Sequence, residues 1–187
     1  MNIYMNCSLR RKKMPTRKND LAVKHTGQAL IITRIFDAPR ELVWQAWTER
    51  EHIMRWWGPK IFTCPACEID FRVGGKYLFC MRSDSGPEIW QKGLWSTGIY
   101  RDIIPLEKIV CTDSFADEKG NVVPATYYGM TDDLPLEMLV TVTLEDIGGK
   151  TRMVLRHEGM PEGEMGKSAS IGWNESLDKL AEILAAA

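Results

Sequence analysis

Three stretches of this sequence carry residue types that could do chemistry: the pair Cys64-Pro65-Ala66-Cys67, the run Gly159 to Ser168 ending in Gly166-Lys167-Ser168, and His157 within an apolar alternation. A two-residue gap between cysteines suits a zinc knuckle or a redox pair. Zinc, however, needs a second pair of ligands, and a redox pair sits where a helix N-terminus lowers the thiol pKa. In a strand, an offset of three sends the two side chains to opposite faces, so neither a metal site nor redox function is expected unless Pro65 opens a bulge. The Gly-Lys-Ser run imitates a phosphate loop, but Pro161 occupies the position where that loop needs its first glycine, and nucleotide hydrolysis is not expected. His157 is different. Met153, Leu155 and His157 share one strand face while Arg152, Val154, Arg156 and Glu158 share the other, which aims the imidazole inward. It could then serve as a general acid or base, or as a hydrogen-bonding contact for a ligand, or be an ordinary satisfied core histidine. No Gly-x-Ser-x-Gly elbow accompanies it, so nucleophilic hydrolysis has no support.

The elements that must position these residues are legible from hydrophobic period. Ala29 to Phe36 is rich in β-branched residues and predicts a strand; Asp37 as N-cap and Pro39 in the first turn then open a helix through Trp47. Thr48 is the expected cap of a second short helix ending before Gly58-Pro59. Alternation predicts strands over 61–71 and 76–82, where Tyr77, Phe79 and Met81 share a face, and over 88–103, 107–115, 137–145 and 151–158. Ile147-Gly148-Gly149-Lys150 is the turn joining the last two. Trp90 and Trp95 differ by five, which puts them on opposite faces of one strand. The segment 116–136 is too long for a hairpin turn and reads as a lid, an insertion or a disordered loop. Met165, Ala169, Trp173, Leu177, Leu180 and Leu184 recur at three-to-four spacing and predict a helix over 162–185, long enough to cross a sheet.

Composition sets the bounds. At 187 residues, 44% hydrophobic and 26% charged, the chain fits one globular domain, and no apolar run reaches the roughly 18 residues of a membrane helix. The net charge of -1 conceals a division: seven Lys/Arg and one acid fall within residues 1–27, leaving the remainder acidic. Residues 1–27, without hydrophobic period, are expected to be a basic flexible N-terminal tail, and 28–187 a single domain. An odd number of cysteines, five, with no apolar signal segment ahead of them, points to a reducing, cytoplasmic setting rather than a disulfide framework.

The order strand, two short helices, six-stranded antiparallel meander and long C-terminal helix resembles the helix-grip, α+β arrangement of the START and birch-pollen-allergen superfamily (SRPBCC). Phe36-Asp37-Ala38-Pro39 leading to Val43-Trp44-Gln45-Ala46-Trp47, then Arg55-Trp56-Trp57-Gly58-Pro59, then Glu68 to Tyr77, and finally Gly172-Trp173 with Leu177 and Leu180, are similar to the activator-of-heat-shock-protein-90-ATPase homologue family. The resemblance covers roughly residues 28–185. It implies a curved sheet gripping the long helix, with an internal cavity between them.

Joined to the strand phases, this places Trp57, Tyr77, Phe79 and Met81 with Met153, Leu155, His157 and Trp173 around one ligand-binding space. The expected function is binding of a small hydrophobic or amphipathic molecule, without cofactor, metal or catalytic residue. The alternatives are a stress-response protein that binds a chaperone or another protein, and a cofactor-free cyclase- or dehydratase-like enzyme using His157. A homodimer is compatible with each; neither nucleic acid nor a membrane is an expected partner.

Overall fold

The computed structural model describes residues 21–25 and 28–186. An antiparallel sheet of eight strands is its frame, in the order β1-β2-β8-β7-β6-β5-β4-β3. These strands are β1 (Leu21–His25), β2 (Ala29–Phe36), β3 (Cys67–Ile69), β4 (Lys76–Met81), β5 (Leu94–Ile104), β6 (Lys108–Ala116), β7 (Met138–Asp146) and β8 (Thr151–Glu158). The expected six-stranded meander is β3 to β8; β2 extends it beyond β8. Four helices complete the fold: α1 (Arg40–Thr48), α2 (Arg50–Trp56), the short α3 (Glu88–Lys92) and α4 (Glu164–Leu184).

β1 falls within the stretch expected to be tail. Its backbone pairs with the otherwise open edge of β2 from Leu21 opposite Arg34 to His25 opposite Leu30. An edge strand needs only alternating backbone partners, so five residues without a core pattern of their own can be recruited by a neighbour that has one. The basic cluster from Arg10 to Lys18 lies outside the described residues.

Prolines account for most of the other departures from expectation. The N-cap of α1 is Pro39 rather than Asp37, which instead pairs with Lys150 at 3.3 Å. Glu49 rather than Thr48 precedes α2; the Thr48 hydroxyl turns back to donate to the Trp44 carbonyl at 3.0 Å. Pro87 opens α3 where a strand was expected, so Trp90 lies on that helix and only Trp95 lies in β5. The opposite-face relation of these two tryptophans therefore does not arise. The strand expected over 61–71 shrinks to β3, because between the Thr63–Arg82 bridge and the Cys67–Phe79 pair three residues oppose two. Pro65 sits in that bulge.

Cys64 thus precedes the strand, and Cys64 and Cys67 are both buried instead of facing opposite ways. Burial pushes their thiols up to about 11 and about 12, which keeps them protonated. No cluster of three or more His, Cys, Asp or Glu able to hold a metal occurs among the described residues.

The long helix meets the sheet in two different ways. Leu177, Leu180 and Leu184 of its second half are buried in the main core with Leu30 and Ile32 of β2 and Met153 and Leu155 of β8. Its first half, with Met165, Ala169 and Trp173, borders an open interior space. No helix among the described residues is long and apolar enough to cross a membrane.

Candidate functional site

The interior space has a volume of about 900 Å³ and is walled by α4, the inner face of β4 to β8, the 58–62 segment and the loop between β6 and β7. Its lining is overwhelmingly apolar. Five methionines, Met81, Met130, Met138, Met160 and Met165, supply adaptable thioether surface, and Trp57, Phe62, Trp90, Phe115, Tyr128 and Trp173 supply aromatic surface. Ile61 and Ile171, exposed by 55% and 61%, mark where the wall gives way to solvent.

The loop between β6 and β7 acts as a wall. Its 3₁₀ turn Ala125–Tyr128 is tied down by Tyr128, whose hydroxyl donates to the Ala116 carbonyl at 2.6 Å and accepts from the Trp95 amide at 3.0 Å. Gly129, at φ 73°, then reverses the chain so that Met130 and Leu134 line the cavity. On the opposite side, Lys179 of α4 donates to the Gly58 and Phe62 carbonyls at 2.8 and 2.9 Å, clamping the segment that bears Pro59 and Ile61.

One connected polar network crosses this apolar wall. Trp173 Nε1 donates to His157 Nδ1 at 3.2 Å. An indole nitrogen only donates, so His157 Nδ1 is the acceptor and the neutral ring carries its proton on Nε2. Nε2 lies 3.4 Å from Asp113 Oδ2 and has no hydrogen-bond partner of good geometry. Asp113 Oδ1 accepts from the Tyr77 hydroxyl at 2.8 Å. Burial lowers the His157 pKa, an effect the nearby Asp113 carboxylate only partly opposes, and burial first, then Asp113, raises that of Tyr77.

Tyr77 reaches Asp113, two strands away, because β5 presents Gly98 between them. A Cβ on Gly98 would stand 2.7 Å from the Tyr77 ring and 1.8 Å from the Thr112 carbonyl oxygen. Asp113 shares one face of β6 with Ile109, Cys111 and Phe115, and with Phe115 it lines the cavity. A carboxylate in an otherwise apolar phase was a readable signal, and sequence reasoning passed over it.

The eight residues expected around the ligand divide. Trp57, Met81, His157 and Trp173 line the large cavity. Tyr77 and Phe79 do not; with Trp47 and Trp57 they border a separate void of about 30 Å³, room for roughly one water. Their rings stack at 4.5 Å, and Phe79 meets Trp57 edge-on at 5.0 Å, so the space above them is filled by aromatic packing. Met153 and Leu155 line neither space and are fully buried. They share the face of His157 but lie farther along β8, under the leucines of α4, where helix and sheet close together. Ser96, whose Oγ is buried without a partner, faces the cavity from β5 and carried no distinguishing sequence signal.

The only lone pair on neutral His157 is occupied by Trp173, so the ring takes up a proton only by breaking that bond.

No curated protein matches the chain in sequence. Among solved structures, protein CV1439 from Chromobacterium violaceum is 27% identical, with 84% of this chain and 96% of that chain covered and a TM-score of 0.67. A protein from Arthrobacter aurescens is 25% identical over 89% of this chain and 92% of its own, with a TM-score of 0.70. The AHSA1 protein from Silicibacter pomeroyi, at 24% identity, 84% and 97% coverage and a TM-score of 0.66, shares the fold. The profile of the family described as activator of Hsp90 ATPase homolog 1-like protein matches residues 37–185, from the turn before α1 to the end of α4. That span contains the whole cavity wall and the Tyr77–Asp113–His157–Trp173 network, and with the helix-grip α+β fold it establishes that the chain belongs to the activator of Hsp90 ATPase homolog 1-like family.

Proposed function

We propose that this protein binds one hydrophobic or amphipathic small molecule in the cavity between the sheet and the first half of α4. The observation that carries the reading is a space of about 900 Å³, within the size range of ligand pockets, whose apolar wall is interrupted by a few converging polar groups: Ser96, Asp113 and His157. An apolar body would gain from leaving water against the methionine and tryptophan wall, while the polar groups would fix its orientation. Of the site residues expected from sequence, Trp57, Met81, His157 and Trp173 are assigned to ligand contact. Binding is favoured over base catalysis by His157 because its one lone pair is taken by the Trp173 indole.

Titration with Nile red, a neutral dye that brightens in apolar surroundings, tests the reading. Saturable binding at one dye per chain is expected, abolished by Ala169→Trp, which places an indole in the cavity from the half-buried face of α4. Absence of binding, or undiminished binding to the folded variant, would overturn it.

A further inference from the structure

Asp113 is a carboxylate without a permanent cation. Its side chain is 17% exposed, and the one ionisable base within salt-bridge distance among the described residues is His157. That partner is neutral on geometric grounds, since Nδ1 is committed as an acceptor to Trp173. Among the described residues no lysine or arginine lines the cavity; the other acidic residue on its wall is Glu175, whose Oε2 accepts from the Lys60 amide at 3.1 Å. Lys179, nearby on α4, spends its ammonium on the loop carbonyls. A carboxylate that lines a ligand-sized space and has no fixed cation beside it can be paired by the ligand.

The surroundings of Asp113 suit a cation. Trp57 and Trp173 border the space beside it with aromatic surface, and the Ser96 hydroxyl oxygen, buried and unpartnered, is a second acceptor on the same wall. A ligand carboxylate would instead meet two acidic side chains and, among the described residues, no cationic one. Resting on the cavity reading above, we propose that the ligand is a lipophilic amine, an aromatic or polycyclic apolar body bearing one protonated nitrogen that pairs with Asp113.

Three probes of one shape separate this inference from the cavity reading: aminomethylanthracene, methylanthracene and anthracenecarboxylate, titrated at neutral pH by quenching of protein tryptophan fluorescence. The amine is expected to bind about tenfold or more tightly than the carboxylate, with the neutral hydrocarbon between them. In Asp113→Asn, which keeps an oxygen for the Tyr77 hydroxyl, the amine should lose about tenfold while methylanthracene changes by less than about twofold. Binding of methylanthracene with no preference for the amine over the carboxylate would overturn the amine inference and leave the cavity reading standing. An amine preference that persists in folded Asp113→Asn would overturn the role of Asp113. Failure of all three probes would overturn both readings. If Asp113→Asn does not fold, the ranking of the probes on the wild-type protein decides.

Discussion

Trp173 Nε1 donates to His157 Nδ1 across 3.2 Å, and this bond is the one polar link between the middle of α4 and the cavity face of β8. It fixes the imidazole tautomer, leaves the proton on Nε2, 3.4 Å from Asp113 Oδ2, and ties the helix to the sheet beside the cavity. Around it the Trp173 ring stacks on Trp47 with centroids 6.2 Å apart and meets Trp57 edge-on at 5.5 Å.

Two substitutions separate the bond from the packing. Trp173→Phe keeps an aromatic ring but leaves Nδ1 without its donor, and should cost about 1–3 kcal/mol. Trp173→Ala also empties the space between Trp47 and Trp57 and should cost about 3–5 kcal/mol. Urea denaturation of the two variants checks the order; equal losses would mean that the indole N–H contributes nothing.

Stability should fall on mild acidification through His157. Burial holds its folded-state pKa below the ordinary value of 6.5. As the pH drops through 6.5 the unfolded chain gains this proton first, so the unfolded state binds more protons and stability declines until the lower folded pKa is passed. Asp113 is the charged group that faces the ring and limits the decline. In denaturation measured between about pH 7.5 and pH 5, His157→Gln should show a shallower loss than the wild type. Parallel curves would contradict a buried neutral histidine.

Gly98→Ala should be among the most damaging single-methyl additions in the sheet. The new Cβ would lie 1.8 Å from a backbone oxygen and 2.7 Å from the Tyr77 ring, so β5 and β6 must separate and the Tyr77 ring must shift as well. A loss of about 3 kcal/mol or more is expected, above the usual range for overpacking because the obstacle is main chain. Thermal unfolding of the variant decides the point, and a change under about 1 kcal/mol would show that the strands yield freely.

Lys179→Met should loosen the cavity mouth. It removes the donor shared by the Gly58 and Phe62 carbonyls while keeping the aliphatic stem. Amide exchange across 58–62 should accelerate and Nile red should dissociate faster, with little change in the sheet. Unchanged exchange there would mean that the segment is held by Pro59 and Phe62 packing alone.

Strand phase and helix stripe carried most of the fold, because both are periodic: β8 turns Met153, Leu155 and His157 inward, and α4 buries Leu177, Leu180 and Leu184 as their spacing requires. The limits of the cavity were not periodic. Whether an inward residue borders empty space or close packing depends on the separation between helix and sheet, which differs between His157 and Leu155 although they are two residues apart. Met130, Leu134, Met138 and Met160 reach the wall through a loop and strand ends, where no repeat marks a buried side chain. The partnership of Tyr77 with Asp113 depends on a glycine in the strand between them, a register fact rather than a local one. Short prolines-led segments, α3 and the 64–66 bulge, replaced the strands that alternation alone would give.

The methionine methyl groups provide the most direct test of the central claim, that a ligand occupies the space beneath the first half of α4. In protein labelled with carbon-13 at the methionine methyls, Met81, Met130, Met138, Met160 and Met165 line that space, whereas Met153 is fully buried away from it and Met54 packs against the main core. Addition of Nile red should shift the five cavity resonances together and saturate at one equivalent, leaving Met54 and Met153 in place. Shifts confined to other methionines, or a spectrum unchanged by dye that is demonstrably bound, would contradict the account.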